Sequence, residues 1–189
     1  MLQSLKKYWR LPFQVLLNPI KTMKKEHDWK WASIASMLSA FLVLLVTCPI
    51  YYYLNSEQFE PMGLGLQSLL MGAAVLFGLI LPCIAFCLSL VVYTIGFSIG
   101  NNHKDGDYWC YLSRLLTVFS GYIVGVSVSN IILSPFPQLN LIVGVMMTAY
   151  LLFASICSYS TLVRVGFLRG VATHALIVFW TFVANALFT

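Results

Sequence analysis

Five apolar runs alternate with polar segments along the chain, through about Trp31–Tyr53, Leu64–Ile99, Leu112–Leu133, Leu139–Leu162 and Val171–Phe188. The only charged side chain within any of them is Arg114, in the first turn of the third. A bilayer core of about 30 Å needs about 20 apolar helical residues, and each run is close to that length or longer. Backbone groups in lipid must be bonded within their own segment, so these runs read as helices. Barrel strands would instead alternate over about 10 residues. The expected fold class is all-α: a polytopic membrane protein, a bundle of five transmembrane helices with an N-terminal interfacial amphipathic segment.

The polar segments fix the orientation. The N-terminal arm holds Lys6, Lys7, Arg10, Lys21, Lys24, Lys25 and Lys30, whereas Asn55–Gly63 holds only Glu57 and Glu60. Lys104 and Arg114 follow, then the uncharged Ser134–Gln138, then Arg164 and Arg169. All 11 basic residues therefore fall on one side of a five-span chain. The positive-inside bias puts the N-terminus and the second and fourth loops in the cytoplasm, and the C-terminus outside.

Composition agrees, with 60% hydrophobic and 9% charged residues, against about 25% charged in soluble domains. Two regions are expected: a cytoplasmic basic amphipathic arm over 1–30, and a membrane domain over 31–189. The net charge of +5 comes from an arm beside an anionic leaflet and is no nucleic-acid footprint. The arm lacks a cleavage site of the signal-peptide kind. Leu2, Leu5, Trp9, Phe13 and Leu16 recur at helical spacing, which predicts a segment lying on the inner leaflet and bound to anionic lipid. Pro12 bends or starts that helix. Asn18 suits an N-cap and Pro19 the first helical position, so a second short helix is expected from Pro19 through Lys21–Lys30. Trp29 and Trp31 mark the headgroup level.

Leu64–Ile99 is 36 residues long, about 54 Å as a helix. One helix kinked near Pro82, with Tyr93–Ile99 projecting into the cytoplasm, is preferred to two short spans. Two spans would carry Lys104 and Arg114 to the other side.

Motifs for chemistry are scarce. His27, His103 and His174 are far apart in sequence, and none pairs with Cys at metal-site spacing. Cys83 and Cys87 are one turn apart and read as small residues at a helix interface. The other cysteines, Cys48, Cys110 and Cys157, suggest no disulfide framework. No catalytic residue, metal site or cofactor is expected, and the protein reads as a non-enzyme. Gly121, Gly125 and Ser129 form a small-residue stripe that allows close helix approach, either within the bundle or in a homodimer. Gly96/Gly100 and Gly166/Gly170 repeat the spacing. The polar intramembrane positions are Asn130, His174 and Asn185. Asn130 and Asn185 are expected at one depth, close enough to interact.

The arm sequence Leu16-Leu17-Asn18-Pro19-Ile20-Lys21-Thr22-Met23, followed by five spans, resembles the Ypt-interacting protein (YIP) domain family. So does the stretch Gly100–Trp109, a polar, glycine-bearing loop leading into an aromatic helix start. The Asp-Leu-x-Gly-Pro motif and long cytosolic extension of eukaryotic relatives, which bind Rab-type GTPases, are absent from this sequence. The resemblance is to the compact bacterial members. It implies a protein of the bacterial cytoplasmic (inner) membrane and, as one partner, an ABC exporter. An adaptor or organiser of other membrane proteins or local lipid would work through Lys6, Lys7, Arg10, Lys21, Lys24, Lys25, His103, Lys104 and Trp109. A small transporter or flippase component would instead run its path near Asn130, Asn185 and His174.

Overall fold

The structure is a computed structural model that describes residues 6–55, 64–104 and 107–176. Its helices are α1 (Leu11–Leu17), α2 (Pro19–Lys24), α3 (Trp29–Leu54), α4 (Leu64–Ser98), α5 (Asp107–Ile132) and α6 (Pro137–Val163). A further helix, α7, covers 167–176. No strand occurs among the described residues. Among the described residues three helices, α3, α5 and α6, are long and apolar enough to cross a membrane. The second apolar run is a single helix of 35 residues; Pro82 does not break it.

α5 is the centre of the bundle, with α1, α3, α4 and α6 all packed on it. The face of α3 that meets the bundle is made of small residues, Ala32, Ser33, Ala35, Ser36, Ser39 and Ala40. Small side chains let two helix backbones close up and gain van der Waals contact that lipid does not supply. Met37 Sδ accepts a hydrogen bond from Ser120 Oγ at 3.1 Å across this interface. A larger core of Tyr111, Leu115, Phe119, Ile123 and Tyr159 joins α5 to α4 and α6.

The arm departs from expectation. α1 and α2 form a helical hairpin docked on α5 and α6, where a segment lying flat on a leaflet was expected. Leu11, Pro12, Val15, Pro19, Thr22 and Met23 are buried. Of the face expected on the leaflet, Trp9 and Phe13 are exposed, with Leu17 and Ile20 beside them, whereas Leu16 turns inward toward Gly125 of α5. Leu2 and Leu5 lie outside the described residues. What helical spacing alone did not reveal is that the opposite face is also apolar, so the hairpin has protein on one side and a greasy surface on the other.

The hairpin tip explains the Asn-Pro-x-x-Thr spacing. Asn18 N–H bonds back to Gln14 O at 2.9 Å, and Asn18 Oδ1 accepts from Lys21 N–H at 3.1 Å. Thr22 Oγ donates to Asn18 O at 2.8 Å and approaches Gln14 O at 3.2 Å. Pro19 has no N–H to satisfy at the first helical position. Tyr150 OH donates to Val15 O.

α2 ends at Lys24, not at Lys30. Lys25 is extended (φ −73°, ψ 144°), and Asp28 caps α3 by accepting from Trp31 N–H at 3.5 Å. The cap requires the chain to leave one helix before entering the next. Trp29 is buried against Arg114, whose guanidinium lies 4.7 Å from its ring centroid. α5 begins at Asp107, earlier than expected, so Tyr108 and Trp109 belong to its first turn.

Gly121 and Gly125 face the arm. A Cβ at Gly121 would lie 3.0 Å from the Pro12 carbonyl oxygen. One at Gly125 would lie 3.0 Å from Leu16 Cδ1 and 2.9 Å from Met147 Cε. Gly144, by contrast, has nothing within 4 Å of such a Cβ. Gly121→Ala must therefore push the α1 backbone away, and overpacking of this kind costs about 1–3 kcal/mol. Gly144→Ala should be neutral or stabilising by about 0.4–1 kcal/mol, through the unfolded chain. Thermal unfolding of both variants in one detergent tests the docking of the arm; equal stabilities would refute it.

Candidate functional site

The segment Gly100–Lys104 is tied into the bundle by a polar network that the sequence did not announce. α4 ends in a turn that only glycine adopts without strain: Gly100 has φ +79°, with Asn101 N–H on Gly96 O at 3.0 Å and Gly100 N–H on Phe97 O at 3.0 Å. This is the paired-bond end that a left-handed residue permits. It turns the Asn101 side chain inward, where it is 7% exposed.

Asn101 Nδ2 donates to Tyr159 OH at 2.9 Å and lies 3.2 Å from Thr173 Oγ. His103 Nε2 is 2.9 Å from the same tyrosine oxygen. Three segments distant in sequence thus meet at one phenol. Tyr93 stacks on His103 at 4.1 Å, and Tyr111 meets the Tyr159 ring edge-on at 5.4 Å. Gly96 makes room, since a Cβ there would overlap Tyr159 OH. Tyr93 OH also reaches Lys104 O at 3.4 Å. Lys104 N–H donates to Asp107 Oδ2 at 2.8 Å, at the entry to α5.

His174 also packs on Tyr159, at 5.8 Å between centroids, with Nδ1 2.8 Å from Gly170 O. Beside it a cavity of about 300 Å³ is lined by Tyr111, Leu115, Phe119, Leu151 and His174, among others.

Burial pushes the His103 pKa below its ordinary value, and Asp107 offsets this in part. His27 is also lowered, first by burial and then by Lys25, Lys7 and Arg114. It sits edge-on between Tyr8 and Trp29 at 5.7 and 5.0 Å.

Of the residues singled out from sequence, Lys6, Lys7, Arg10, Lys21, Lys24, Lys25, Lys104 and Trp109 are exposed, while His103 is half-buried. Gly121 and Gly125 are covered by α1, and Ser129 Oγ donates to Val126 O at 3.0 Å. Asn130 is half-buried. Asn185 lies outside the described residues, and so does the expected Asn130–Asn185 pairing. Among the described residues no three His, Cys, Asp or Glu side chains converge.

Sequence reading missed Tyr159, Asn101 and Thr173. A signal was available, because hydroxyls crowd the end of the fourth run at Ser155, Ser158, Tyr159, Ser160 and Thr161. A stretch that polar near a helix end has something to bond.

No protein-family model, curated protein or solved structure matches this chain. The site is therefore read from its own geometry.

Tyr159→Phe removes the oxygen shared by Asn101 and His103 and leaves buried groups unbonded, a loss of about 1–3 kcal/mol. Faster amide exchange over 100–104 is the expected readout. The pH sign follows from linkage. A histidine whose folded pKa is lowered contributes stability above its ordinary value of about 6.5, and that contribution is lost as pH falls below it. Loop protection should decline on acidification, and His103→Gln should flatten the part due to His103 while His27 still titrates. An unchanged pH profile in His103→Gln would exclude His103 as the group responsible.

Proposed function

We propose that this chain is a five-span, non-enzymatic membrane protein with its N-terminus in the cytoplasm and its C-terminus outside. It acts as an adaptor or organiser of other membrane proteins or local lipid. The observation that carries this reading is the convergence of the basic segments at one end of the bundle. Arg114 lies over Trp29 at the start of α3, Asn101 and His103 meet Tyr159 near the end of α6, and Lys24 shares a cleft with Arg164. Helix ends carrying 11 basic residues on one side are what the positive-inside bias favours. The continuity of α4 through Pro82 supports the same count, because it keeps Lys104 on that side.

At this end Lys6, Lys7, Arg10, Lys25, Lys104 and Trp109 are exposed over a buried polar network. A surface of cations and one indole on a fixed support suits anionic inner-leaflet lipid and acidic protein partners. The compact bacterial YIP-like proteins, with an ABC exporter as partner, are the class this reading fits. Homodimerisation through Gly121 and Gly125 is disfavoured because α1 covers both.

Adaptor is preferred to transporter on the spacing of polar residues. His174 packs with Tyr111 and Tyr159, whereas Asn130 is 19 residues beyond Tyr111 along α5, about 28 Å at 1.5 Å per residue. Asn130, unlike His174, does not line the cavity beside Tyr111.

Alkaline phosphatase fused after Thr189 should be active outside the cytoplasm, and a fusion at Asp105 should be silent. An active Asp105 fusion would sink the topology. Copurification in mild detergent, compared between wild type and a Lys104→Ala/Trp109→Ala variant, tests the adaptor role. A partner set unaffected by the double substitution would remove this surface from consideration.

A further inference from the structure

A cleft of about 650 Å³ opens between α2, the end of α6 and the start of α7. Its polar wall holds Lys24, Arg164, Ser160 and Thr161, and its apolar wall includes Phe153 and Phe167, whose ring centroids are 5.9 Å apart. No acidic side chain lines it. Two cations facing an apolar wall are an unusual pairing for empty space, since neither neutralises the other.

Further observations point to an anion. Arg164 stands at the α6 C-cap with φ +54°, a left-handed conformation that usually belongs to glycine. A side chain kept where glycine would be easier is consistent with use of its guanidinium. The cleft also borders the first turn of α7 at Phe167, and helix N-terminal amides favour negative charge. Thr161 Oγ already donates to Cys157 O at 2.7 Å, so its part is steric or accepting.

We propose that this cleft binds one anionic phospholipid, with the phosphate between Lys24 and Arg164 and an acyl chain along Phe153 and Phe167. Arginine offers a planar fork to phosphate oxygens and lysine a point charge. The rings supply what a soluble anion does not need, and they select a lipid over free phosphate. The proposal deepens the lipid-organising part of the function above and rests on this end meeting the headgroup layer.

The test uses the full-length protein in mild detergent with tail-labelled phosphatidylglycerol, phosphatidylcholine or inorganic phosphate. Detergent removes any dependence on topology, so a failure here is distinct from a failure of the phosphatase fusions. Phosphatidylglycerol should bind saturably and raise the unfolding temperature, and phosphatidylcholine should not. Losing one charge-assisted contact should weaken binding about tenfold or more in Lys24→Ala and in Arg164→Gly. Arg164→Gly is the decisive variant, because glycine relieves the backbone and should leave the lipid-free protein at least as stable. Lys6→Ala/Lys7→Ala should leave this binding unchanged. Unaltered affinity in Arg164→Gly, equal binding of phosphatidylcholine, or displacement by inorganic phosphate at the lipid's own concentration would each overturn the proposal.

Discussion

A peptide group in hydrocarbon has no water to bond, and the turns of this chain are built around that constraint. Regular helix disposes of most backbone polarity, so the demand falls on the places where helices stop. At the hairpin tip Asn18 and Thr22 close the free ends of α1 and α2, and Pro19 contributes no donor at all. Where α4 ends, Gly100 takes the conformation that returns two amides to the helix. At the α6 end Val165 N–H reaches Ser160 O at 3.2 Å, across an arginine in the same left-handed region. Three turns of different composition solve one problem by local bonds, which is why they can sit against or within a bundle.

Once the ends are closed, packing decides the rest. The arm is short, and helices of 7 and 6 residues are marginal in isolation. They persist because α5 presents Gly121 and Gly125 to them, and because Tyr150 donates to the carbonyl of Val15. The same two glycines that read as a generic packing stripe have a particular occupant. That occupant makes the arm part of the fold, while its outer stripe of Trp9, Phe13, Leu17 and Ile20 remains apolar and exposed.

The first four runs, their helical state, the unbroken second helix and the Asn18–Pro19 start could be read from the sequence. Each depends on local periodicity or a cap, and those signals lie within a few residues. The hairpin docking could not be read, since Leu11, Val15 and Met23 reveal their partners only when α5 and α6 are placed beside them. The early end of α2 was legible in principle: Asp28 is a good cap four residues before Ala32, whose N–H bonds to Asp28 O at 2.9 Å. Among site residues, His103 and His174 stood out as rare ionisable types in a greasy chain. Tyr159 did not, because one tyrosine among 10 carries no mark until the α4–α5 connection brings two side chains to its oxygen.

Tyr159 and Ser160 are consecutive on the last turns of α6, yet they face different neighbours. One holds Asn101 and His103 from the α4–α5 connection; the other lines the cleft with Lys24 and Arg164. α7 repeats the pairing: Thr173 lies beside Asn101, while Gly170 packs so closely on Ser160 that a Cβ would overlap its hydroxyl. Close packing transmits displacement because interiors have little free volume to absorb it. Any shift of Ser160 would therefore be felt at Gly170 and at the turn that carries Tyr159. The exposed Lys104 and Trp109 hang on the far side of that turn, through His103 and the Asp107 bond to the Lys104 amide. The basic surface and the cleft are in this sense two faces of one helix end, lined by two adjacent residues of α6.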